Sequence, residues 1–251
     1  MSDDNRVAIV TGSSRGIGAA TAIRLASEGY HVCINYLTNE SAAQGVVEQV
    51  RSHGVNAIAV RADTSSEEQV VSLFAEVKEK LGVPHALVNN AAIVFQQGRV
   101  ADMTAERISR VLATNVTGYL LCCREAVSCM STKKGGAGGV IVNVSSAASR
   151  IGSPGEYVDY AASKGAVDTL TIGLASEVAD EGIRVNGVRP GLIYTDMHAS
   201  GGEAGRVDRL KSGVPMQRGG LAVEVARAIM WLISEDSSYT TGSFVEVSGG
   251  R

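Results

Sequence analysis

Two tyrosines and a lysine lie within the nine residues "EYVDYAASK" at 156–164, and their spacing suggests acid–base chemistry. If this segment opens a helix, positions four apart share a face, so Tyr160 and Lys164 can meet. A tyrosine has an ordinary pKa of about 10, and a neighbouring ammonium favours the phenolate and lowers that pKa. Tyr157 has Ala161 at the same offset. The spacing therefore predicts Tyr160 as the acid or base and Tyr157 as at most a pocket wall.

A glycine-rich turn lies between an apolar run and a helical pattern in "RVAIVTGSSRGIGAATAIRLASEG". Gly12, Gly16 and Gly18 let the backbone turn tightly and approach a pyrophosphate, and the following helix offers free N–H groups. No GK[ST] follows, which excludes a P-loop nucleotidase in practice. The position of the loop predicts dinucleotide binding. A glycine turn without a ligand is the alternative.

Two features favour NADP(H) over NAD(H) as the cofactor. The second apolar run ends in Asn35, Tyr36 and Leu37, and the first carboxylate after it is Glu40, so no acid stands ready for the ribose hydroxyls of NAD. Arg15 in the glycine loop is a cation that can bind phosphate oxygens. A solvated Arg15 and a preference for NAD are the alternatives.

Two neighbouring hydroxyl groups follow another apolar run, in "VNVSSAASRIG" at 142–152. Ser145 and Ser146 differ by one position, so one can face a cleft while the other bonds to local backbone. Neither lies in the GxSxG elbow of a hydrolase. We therefore expect a hydrogen-bond donor to a substrate oxygen rather than a nucleophile.

Asn115 lies on the apolar stripe of a predicted helix at 104–132. The other members of this stripe are Ile108, Val111, Leu112, Tyr119 and Cys122. A buried amide is costly unless it is hydrogen-bonded. Asn115 is thus either an amide satisfied by neighbouring backbone or one that holds water or backbone at a site.

The elements that must position these residues alternate along the chain. Strands are predicted at 6–10, 31–36, 56–60, 85–89, 139–144, 183–188 and 243–247. Helices are predicted at 16–28, 40–53, 66–81, 104–132, 157–180 and 222–234, with C-cap glycines at Gly29, Gly54, Gly82 and Gly182. Because the strands are apolar at nearly every position, both of their faces are covered. The pattern predicts an α/β fold: one domain over 1–251, a doubly wound, Rossmann-like parallel sheet of about seven strands flanked by helices.

Composition narrows the function classes. The 251 residues are 45% apolar, and the net charge of −3 gives no general attraction to nucleic acid or to anionic membranes. Cys33, Cys122, Cys123 and Cys129 form no CxxC pair and have no nearby histidine, so we expect thiols in a reducing compartment and no metal site. "MSDDNRVAIV" lacks a signal-peptide pattern, and no apolar run is long enough for a bilayer, so a cytoplasmic location is expected.

Several motifs occur together in an order that resembles the short-chain dehydrogenase/reductase family. They are TGSSRGIG, NNAA at 89–92, Asn115, NVSS, YAASK and RPG at 189–191, and the resemblance continues to the terminal TGSFVEVSGG. It implies a catalytic set of Asn115, Ser146, Tyr160 and Lys164. In that set Lys164 also holds the nicotinamide ribose, and Asn115 maintains a proton path through water to Lys164. The resemblance further implies a homotetramer.

The motifs and the resemblance together predict the ligand-binding residues. The cofactor set is Gly12, Ser14, Arg15, Gly16, Ile17, Gly18, Asn35, Tyr36, Asp63, Thr64, Asn90, Ala91, Ala92, Tyr160, Lys164, Pro190, Gly191, Ile193 and Thr195. The resemblance implies Asp63 at the adenine, and Ile193 and Thr195 at the nicotinamide amide. The substrate set is Val94, Phe95, Ser146, Tyr157, Leu192 and Met197, with residues 195–218 as a lid.

Two departures from the family pattern concern the site. Ala92 stands where the family usually has the glycine of NNAG. The span from Ser146 to Tyr160 is one residue longer than the commonest family spacing. Ala147 keeps that spacing but has no hydroxyl. We therefore expect the extra residue in the loop "GSPGEYVD", beside the substrate.

These features predict an NADP(H)-dependent oxidoreductase that transfers a hydride reversibly between nicotinamide and a carbonyl or alcohol. Sugars, small ketones and acyl chains all fit the expected pocket. A 3-oxoacyl-[acyl-carrier-protein] reductase is the first alternative; Lys133 and Lys134 favour an acidic carrier, but the acidic "EVADEG" opposes it. A non-catalytic NADP-binding sensor is the alternative of another class, and the intact Asn–Ser–Tyr–Lys set argues against it.

Overall fold

A parallel sheet forms the centre of the molecule, whose residues 6–251 are described by a computed structural model. The strands in this range are β1 (Val7–Val10), β2 (His31–Tyr36), β3 (Ala57–Arg61), β4 (Pro84–Asn89), β5 (Gly139–Val144), β6 (Ile183–Pro190), β7 (Ile193–Tyr194), β8 (Gly220–Leu221) and β9 (Phe244–Val247). Seven of them form one sheet in the order β3–β2–β1–β4–β5–β6–β9, with every pairing parallel, and β7 pairs with β8. The predicted seven-stranded, doubly wound sheet is confirmed. The interpretation of the leading "MSDDN" lies outside the described residues.

Helices connect the strands and cover both faces of the sheet. They are α1 (Gly16–Ser27), α2 (Glu40–Arg51), α3 (Glu67–Lys80), α4 (Ala105–Leu112), α5 (Gly118–Met130), α6 (Ala148–Ile151), α7 (Val158–Val178), α8 (Met197–Ser200), α9 (Arg206–Leu210) and α10 (Ala222–Ile233). Short 3₁₀ turns lie at Val100–Asp102, Thr132–Lys134, Ala179–Glu181, Lys211–Gly213 and Glu235–Ser237. Within residues 6–251 we find no helix with both the length and the apolar character of a membrane span.

The ends of the helices follow from local residues. The side chain of Asn39 accepts a hydrogen bond from the backbone of Ala42 at the start of α2, and Ser66 and Thr104 act in the same way for α3 and α4. The four predicted C-cap glycines, Gly29, Gly54, Gly82 and Gly182, all have positive φ. This left-handed backbone ends each helix at low steric cost because glycine has no Cβ.

Alternate residues of each strand supply two apolar layers. In β1, Ala8 and Val10 pack in the cluster that includes residues of α1, α2 and α10, whereas Val7 and Ile9 pack in the cluster with α3, α5 and α7. All four side chains are fully buried. This covering of both faces is the arrangement that the continuous apolar runs predict. The strand order reverses between β1 and β4, which is where ligands bind in such sheets.

The predicted helix 104–132 is two helices separated by a π-turn at Ala113–Thr117. The wider turn rotates α4 relative to α5. The prediction of one continuous apolar stripe is therefore wrong for the residues of α4. Ile108 and Leu112 are exposed, whereas Val111 and Asn115 are buried. Tyr119 and Cys122 of the second half are buried as expected.

The faces of α5 and α7 that point away from the sheet carry exposed apolar side chains. Leu120 on α5 and Ile172 on α7 are each about half exposed, at 48% and 53%. Exposed apolar surface of this kind is typical of association faces. The homotetramer stays a prediction.

Candidate active site

A cavity of about 440 Å³ opens at the carboxyl ends of β4, β5 and β6. Most of the predicted ligand-binding residues from the second half of the chain line it, together with several from the first half. The predicted residues in its wall are Ile17, Asn90, Ala92, Val94, Ser146, Tyr157, Tyr160, Lys164, Pro190, Gly191, Leu192, Ile193, Thr195 and Met197. The structure thus brings together side chains that lie up to 180 residues apart.

Tyr160 lies in the first turn of α7, with Lys164 one turn further along, so both reach the cavity. The hydroxyl of Ser146 lies close enough to Tyr160 to favour its phenolate, but removal from water dominates and raises the pKa of Tyr160 to about 12. Ser145 turns away and donates to the carbonyl oxygen of Lys164 at 3.2 Å. The two serines diverge, as their one-residue offset predicts.

The amine of Lys164 is not aimed at the Tyr160 hydroxyl. Its Nζ donates to the carbonyl oxygen of Val144 at 2.7 Å and to the hydroxyl of Tyr119 at 3.1 Å. It lies 5.7 Å from the centre of the Tyr160 ring. Burial lowers the pKa of Lys164 to about 7. The expectation that Lys164 lowers the pKa of Tyr160 is therefore wrong for this structure, because burial disfavours the charged form of both groups.

Asn115 lies in the π-turn and connects two parts of the site. Its Oδ1 accepts from the backbone N–H of Ile93 at 2.8 Å, and its Nδ2 donates to the Ile93 carbonyl and to Ser163 Oγ. Ser163 in turn donates to the carbonyl of Tyr160 at 2.7 Å. The amide is thus satisfied by backbone and, through the same bonds, ties the chain after β4 to the helix that carries Tyr160.

The glycine loop packs directly on the segment after β4. A Cβ at Gly12 would lie 2.8 Å from Ala91 Cα, and one at Gly18 would lie 2.6 Å from Asn90 Nδ2. Thr11 Oγ1 accepts from the backbone N–H groups of both Asn90 and Ala91. Only glycine leaves room for this contact, so the two motifs form one surface.

The start of α1 has groups that fit a phosphate. Arg15 is the exposed N-cap residue, and within the described chain its side chain makes no capping hydrogen bond. The first turn of α1 has no acidic residue. Free N–H groups, a positive helix end and a nearby guanidinium suit an anion. Thr195 lies against this turn, since its Cγ2 is 3.5 Å from a Cβ placed at Gly16.

The residues after β2 and β3 mainly support the loop. Both N–H bonds of the Asn35 amide go to the carbonyls of Val60 and Ala62, and its Oδ1 accepts from the N–H of Gly12 at 3.1 Å. The Tyr36 side chain packs in the apolar core. Asn35 thus orders the glycine loop, and Tyr36 fills the core beneath it. The cofactor roles of these two residues stay predictions.

Asp63 and Thr64 follow β3. One carboxylate oxygen of Asp63 accepts from the N–H and hydroxyl of Ser65, which closes a tight turn. Thr64 is buried against the first residue of α5, since a Cβ at Gly118 would lie 3.0 Å from its hydroxyl oxygen. Ser14 is half-buried within the glycine loop. The cofactor roles of these three residues stay predictions.

Phe95 does not line the cavity, contrary to expectation. Its ring lies against α4, with the guanidinium groups of Arg107 and Arg110 at 5.8 Å and 5.5 Å from the ring centre. Cation–π contacts of this kind stabilise the ring outside the pocket. Val94, the residue before it, lines the cavity instead.

The segment after β6 forms the opposite wall. The backbone N–H of Gly191 donates to Val247 at 3.0 Å, and a Cβ at this position would lie 2.8 Å from Ser248 Cα. His198 bonds to the Ile193 carbonyl at 2.9 Å. These contacts hold the segment against β9, so that its side chains face the cavity.

The longer loop between Ser146 and Tyr160 is accommodated by residues with left-handed backbone. Gly152, Ser153 and Gly155 have φ of 73°, 46° and 73°. This turn brings the loop over the cavity, where Ser153, Pro154, Glu156 and Tyr157 join the wall. The loop thus lies beside the pocket, and the position of the extra residue within it stays a prediction.

An ion pair joins this loop to the predicted lid. Arg206 of α9, whose side chain is 8% exposed, forms two hydrogen bonds of 2.7 Å and 2.6 Å to the carboxylate of Glu156. The hydroxyl of Tyr157 donates to the Gly201 carbonyl at 3.2 Å. The Arg206 guanidinium holds the pKa of Glu156 below its ordinary value. Glu156 and Arg206 were not predicted, because a charge pair 50 residues apart leaves no local pattern in the sequence.

Metal-dependent chemistry and thiol chemistry receive no support from the described residues. In the 6–251 range, no three His, Cys, Asp or Glu side chains are grouped as metal ligands. Cys33, Cys122 and Cys123 are buried, and burial raises the pKa of each thiol. Reactive thiols are instead those with lowered pKa values.

Known proteins match this chain over nearly its whole length. A family profile described as "Enoyl-(Acyl carrier protein) reductase" matches residues 12–251. The chain is 63% identical over 245 residues to the uncharacterized oxidoreductase YgfF of Escherichia coli (strain K12), covering 98% of this chain and 99% of that protein. It is 35% identical over 243 residues to the 3-oxoacyl-[acyl-carrier-protein] reductase FabG of Staphylococcus aureus (strain Mu50), covering 97% and 96%. A crystal structure of a short-chain type dehydrogenase/reductase from Mycobacterium marinum is similar, with a TM-score of 0.91, 32% identity and coverage of 98% and 94%.

Replacing Glu156 by glutamine tests whether its ion pair holds the lid. Glutamine keeps the shape but removes the charged partner that bonds to the buried Arg206 guanidinium and leaves it only the longer contact to Glu203 at 3.9 Å, which destabilises the closed position. We expect amide hydrogen exchange in residues 197–210 to accelerate about tenfold, equivalent to about 1.4 kcal/mol. Glu76→Gln breaks the exposed pair with Lys80, and as the matched control it should leave lid exchange unchanged. Equal lid exchange in Glu156→Gln and the unmodified protein would show that the pair does not hold the lid.

Proposed function

The chain belongs to the short-chain dehydrogenase/reductase family of oxidoreductases, and on that premise we propose that it transfers a hydride reversibly between NADP(H) and a carbonyl or alcohol substrate. One observation carries the proposal. Ser146, Tyr160 and Lys164 line the same cavity, and the Ser146 hydroxyl lies close enough to Tyr160 to favour its phenolate. A proton donor and a second hydrogen-bond donor therefore stand together at the place where ligands bind in such sheets.

Tyr160 is the proton donor in the reductive direction. A bound nicotinamide supplies the hydride. Because its pKa is raised to about 12, Tyr160 keeps its proton at neutral pH until a developing alkoxide accepts it. Ser146 donates a hydrogen bond to the same substrate oxygen and stabilises the charge that develops there. In oxidation Tyr160 would accept the proton instead.

Lys164 and Asn115 support this proton transfer. With a pKa of about 7, the Lys164 amine exchanges protons readily near neutral pH, so it can help restore the Tyr160 proton. Asn115 acts by position: its bonds to Ile93 and Ser163 fix α7 relative to the chain after β4. Loss of either side chain would disturb the placement of Tyr160 as well as the proton path.

The preference for NADP(H) is supported by two arginines. Arg15 stands at the open start of α1. Arg61, at the end of β3, donates from Nε to the carbonyl of Leu37 at 3.1 Å, which holds a second exposed guanidinium beside the end of β2. Together they suit a 2′-phosphate, since guanidinium groups match phosphate oxygens.

The 35% identity to FabG keeps a 3-oxoacyl-[acyl-carrier-protein] reductase as the second candidate. An acidic carrier would need free basic groups on the surface. Here Lys133 donates to the carboxylate of Asp180 at 2.7 Å, and Glu181 accepts from Ser131 nearby. This pairing of Lys133 disfavours the carrier protein and favours a free small-molecule carbonyl or alcohol.

Tyr160→Phe tests the acid directly. We expect the rate of NADPH oxidation, followed by absorbance against ketones, diketones, sugars and 3-oxoacyl thioesters, to fall by at least about 10²-fold, because a positioned acid contributes about 10²–10⁴-fold. Tyr239→Phe, at a fully exposed position, is the control that should keep full activity. Unchanged turnover in Tyr160→Phe would overturn the mechanism. Tight NADPH binding without any turnover in the unmodified protein would instead favour the sensor.

Arg15→Gln and Arg61→Gln test the cofactor preference. Each change removes a charged donor to the 2′-phosphate, so the Kd for NADPH should rise about 10- to 100-fold while the Kd for NADH stays within about twofold. Arg24→Gln on the exposed face of α1 is the matched control. Fluorescence titration measures all three variants. Parallel weakening of NADPH and NADH would contradict a role at the 2′-phosphate.

A further inference from the structure

Tyr119 is a buried tyrosine that touches the predicted catalytic lysine but lies outside the predicted catalytic set. It is 2% exposed and lies one turn after Asn115. Its hydroxyl donates to the Val144 carbonyl at 3.0 Å and accepts from Lys164 Nζ at 3.1 Å. The Lys164 amine also lies 4.8 Å from the centre of the Tyr119 ring. Tyr119 therefore meets the lysine through both its hydroxyl and its ring.

The two helices at the site face each other through matched polar contacts. On α5 and the preceding π-turn, Asn115 and Tyr119 are four residues apart; on α7 their partners are Ser163 and Lys164. Both Asn115 and Tyr119 are buried, as expected for residues four apart on the inner face of a helix. The Asn115–Ser163 contact fixes the backbone near Tyr160, and the Tyr119–Lys164 contact fixes the amine of Lys164.

The hydrogen bonds of the Lys164 amine determine which of its N–H donors remains for a ligand. An ammonium group has three N–H donors. Val144 and Tyr119 accept two of them, and Lys164 lines the cavity, so the third is available to a ligand there. Tyr119 and Val144 also bond to each other, which closes a triangle around the amine. Such a triangle restricts the amine to one position.

We propose that Tyr119 is a positioning residue that holds the Lys164 amine against the end of β5, with its free donor toward the cavity. The inference rests on the proposed function, in which Lys164 serves Tyr160. A merely structural Tyr119 would fill space, and phenylalanine would replace it without effect on the lysine. A positioning Tyr119 acts through its hydroxyl oxygen, which phenylalanine lacks.

The titratable groups around this pair come from two helices. Tyr119, Cys122 and Cys123 belong to α5, and Tyr160 and Asp168 belong to α7. Burial lowers the pKa of Lys164, and the Asp168 carboxylate opposes that change. The Tyr119 oxygen accepts a hydrogen bond from the charged amine, so its removal disfavours the ammonium and lowers the pKa of Lys164 further.

The direct test is an NMR titration of the ¹³C-labelled lysine ε-carbons in the full-length protein and in Tyr119→Phe, with the Lys164 signal assigned by Lys164→Arg. We expect the Lys164 midpoint to fall by about one pH unit in Tyr119→Phe, as the loss of one hydrogen bond to a charged group implies. Tyr30→Phe, which removes a buried hydroxyl elsewhere, should leave the midpoint unchanged. An unchanged midpoint in Tyr119→Phe, or an equal change in Tyr30→Phe, would overturn the inference.

The pH dependence of kcat/KM supplies the functional readout. If protonated Lys164 is the active form, activity is lost as pH rises through its pKa, so the basic limb should move to lower pH in Tyr119→Phe and stay in place in Tyr30→Phe. A limb that stays in place in both variants would contradict the positioning role. Should no substrate be turned over, the proposed function fails, while the NMR titration still decides whether Tyr119 holds the amine.

Discussion

The burial of one amine constrains the rest of this site. Lys164 is 1% exposed, and an ammonium removed from water is costly unless other groups bond to it. The fold therefore has to bring a carbonyl from β5 and a hydroxyl from α5 to the same point. The strand–helix register and the π-turn before α5 both contribute to this meeting. Tyr160, on the same helix as the lysine, is placed by the same contacts.

The remaining walls depend on contacts between segments that are far apart in the chain. Asn90 joins the loop after β4 to the glycine loop, Asn115 joins it to α7, and Glu156 joins the longer loop to α9. Each contact is a hydrogen bond or ion pair that is at least partly buried, where such interactions are stronger than in water. The result is a site with a phosphate end built from tightly packed backbone and a wall, α8 to α9, that is held by side-chain contacts of Glu156, Tyr157 and Glu203. Such a division suits an enzyme that binds its cofactor firmly and exchanges its substrate.

Local patterns in the sequence predicted most of the fold. The apolar runs predicted the ends of all seven strands of the sheet within one or two residues. Strands that are buried on both faces are apolar at nearly every position, so they stand out in the sequence. The spacing of Tyr160 and Lys164 placed both in one cavity. By contrast, the π-turn has no sequence signature, so the exposure of Ile108 and Leu112 was not predicted.

Spacing along a helix predicts that two side chains lie close together, but it does not predict their hydrogen-bond partners. Lys164 was expected to act on the Tyr160 hydroxyl, yet Val144 and Tyr119 take two of its hydrogen bonds. Phe95 was expected in the cavity wall, but its ring lies against the guanidinium groups of Arg107 and Arg110. A signal for Tyr119 was present, since it lies four residues after Asn115 on the same stripe.

The central claim, that Tyr160 and Lys164 serve a bound NADP(H), is tested most directly by a crystal structure of the NADPH complex. The account predicts phosphates at the start of α1 and the nicotinamide in the cavity beside Tyr160, with the free donor of Lys164 bonded to the cofactor. A nicotinamide outside this cavity, or a Lys164 amine that makes no contact with the cofactor, would contradict it.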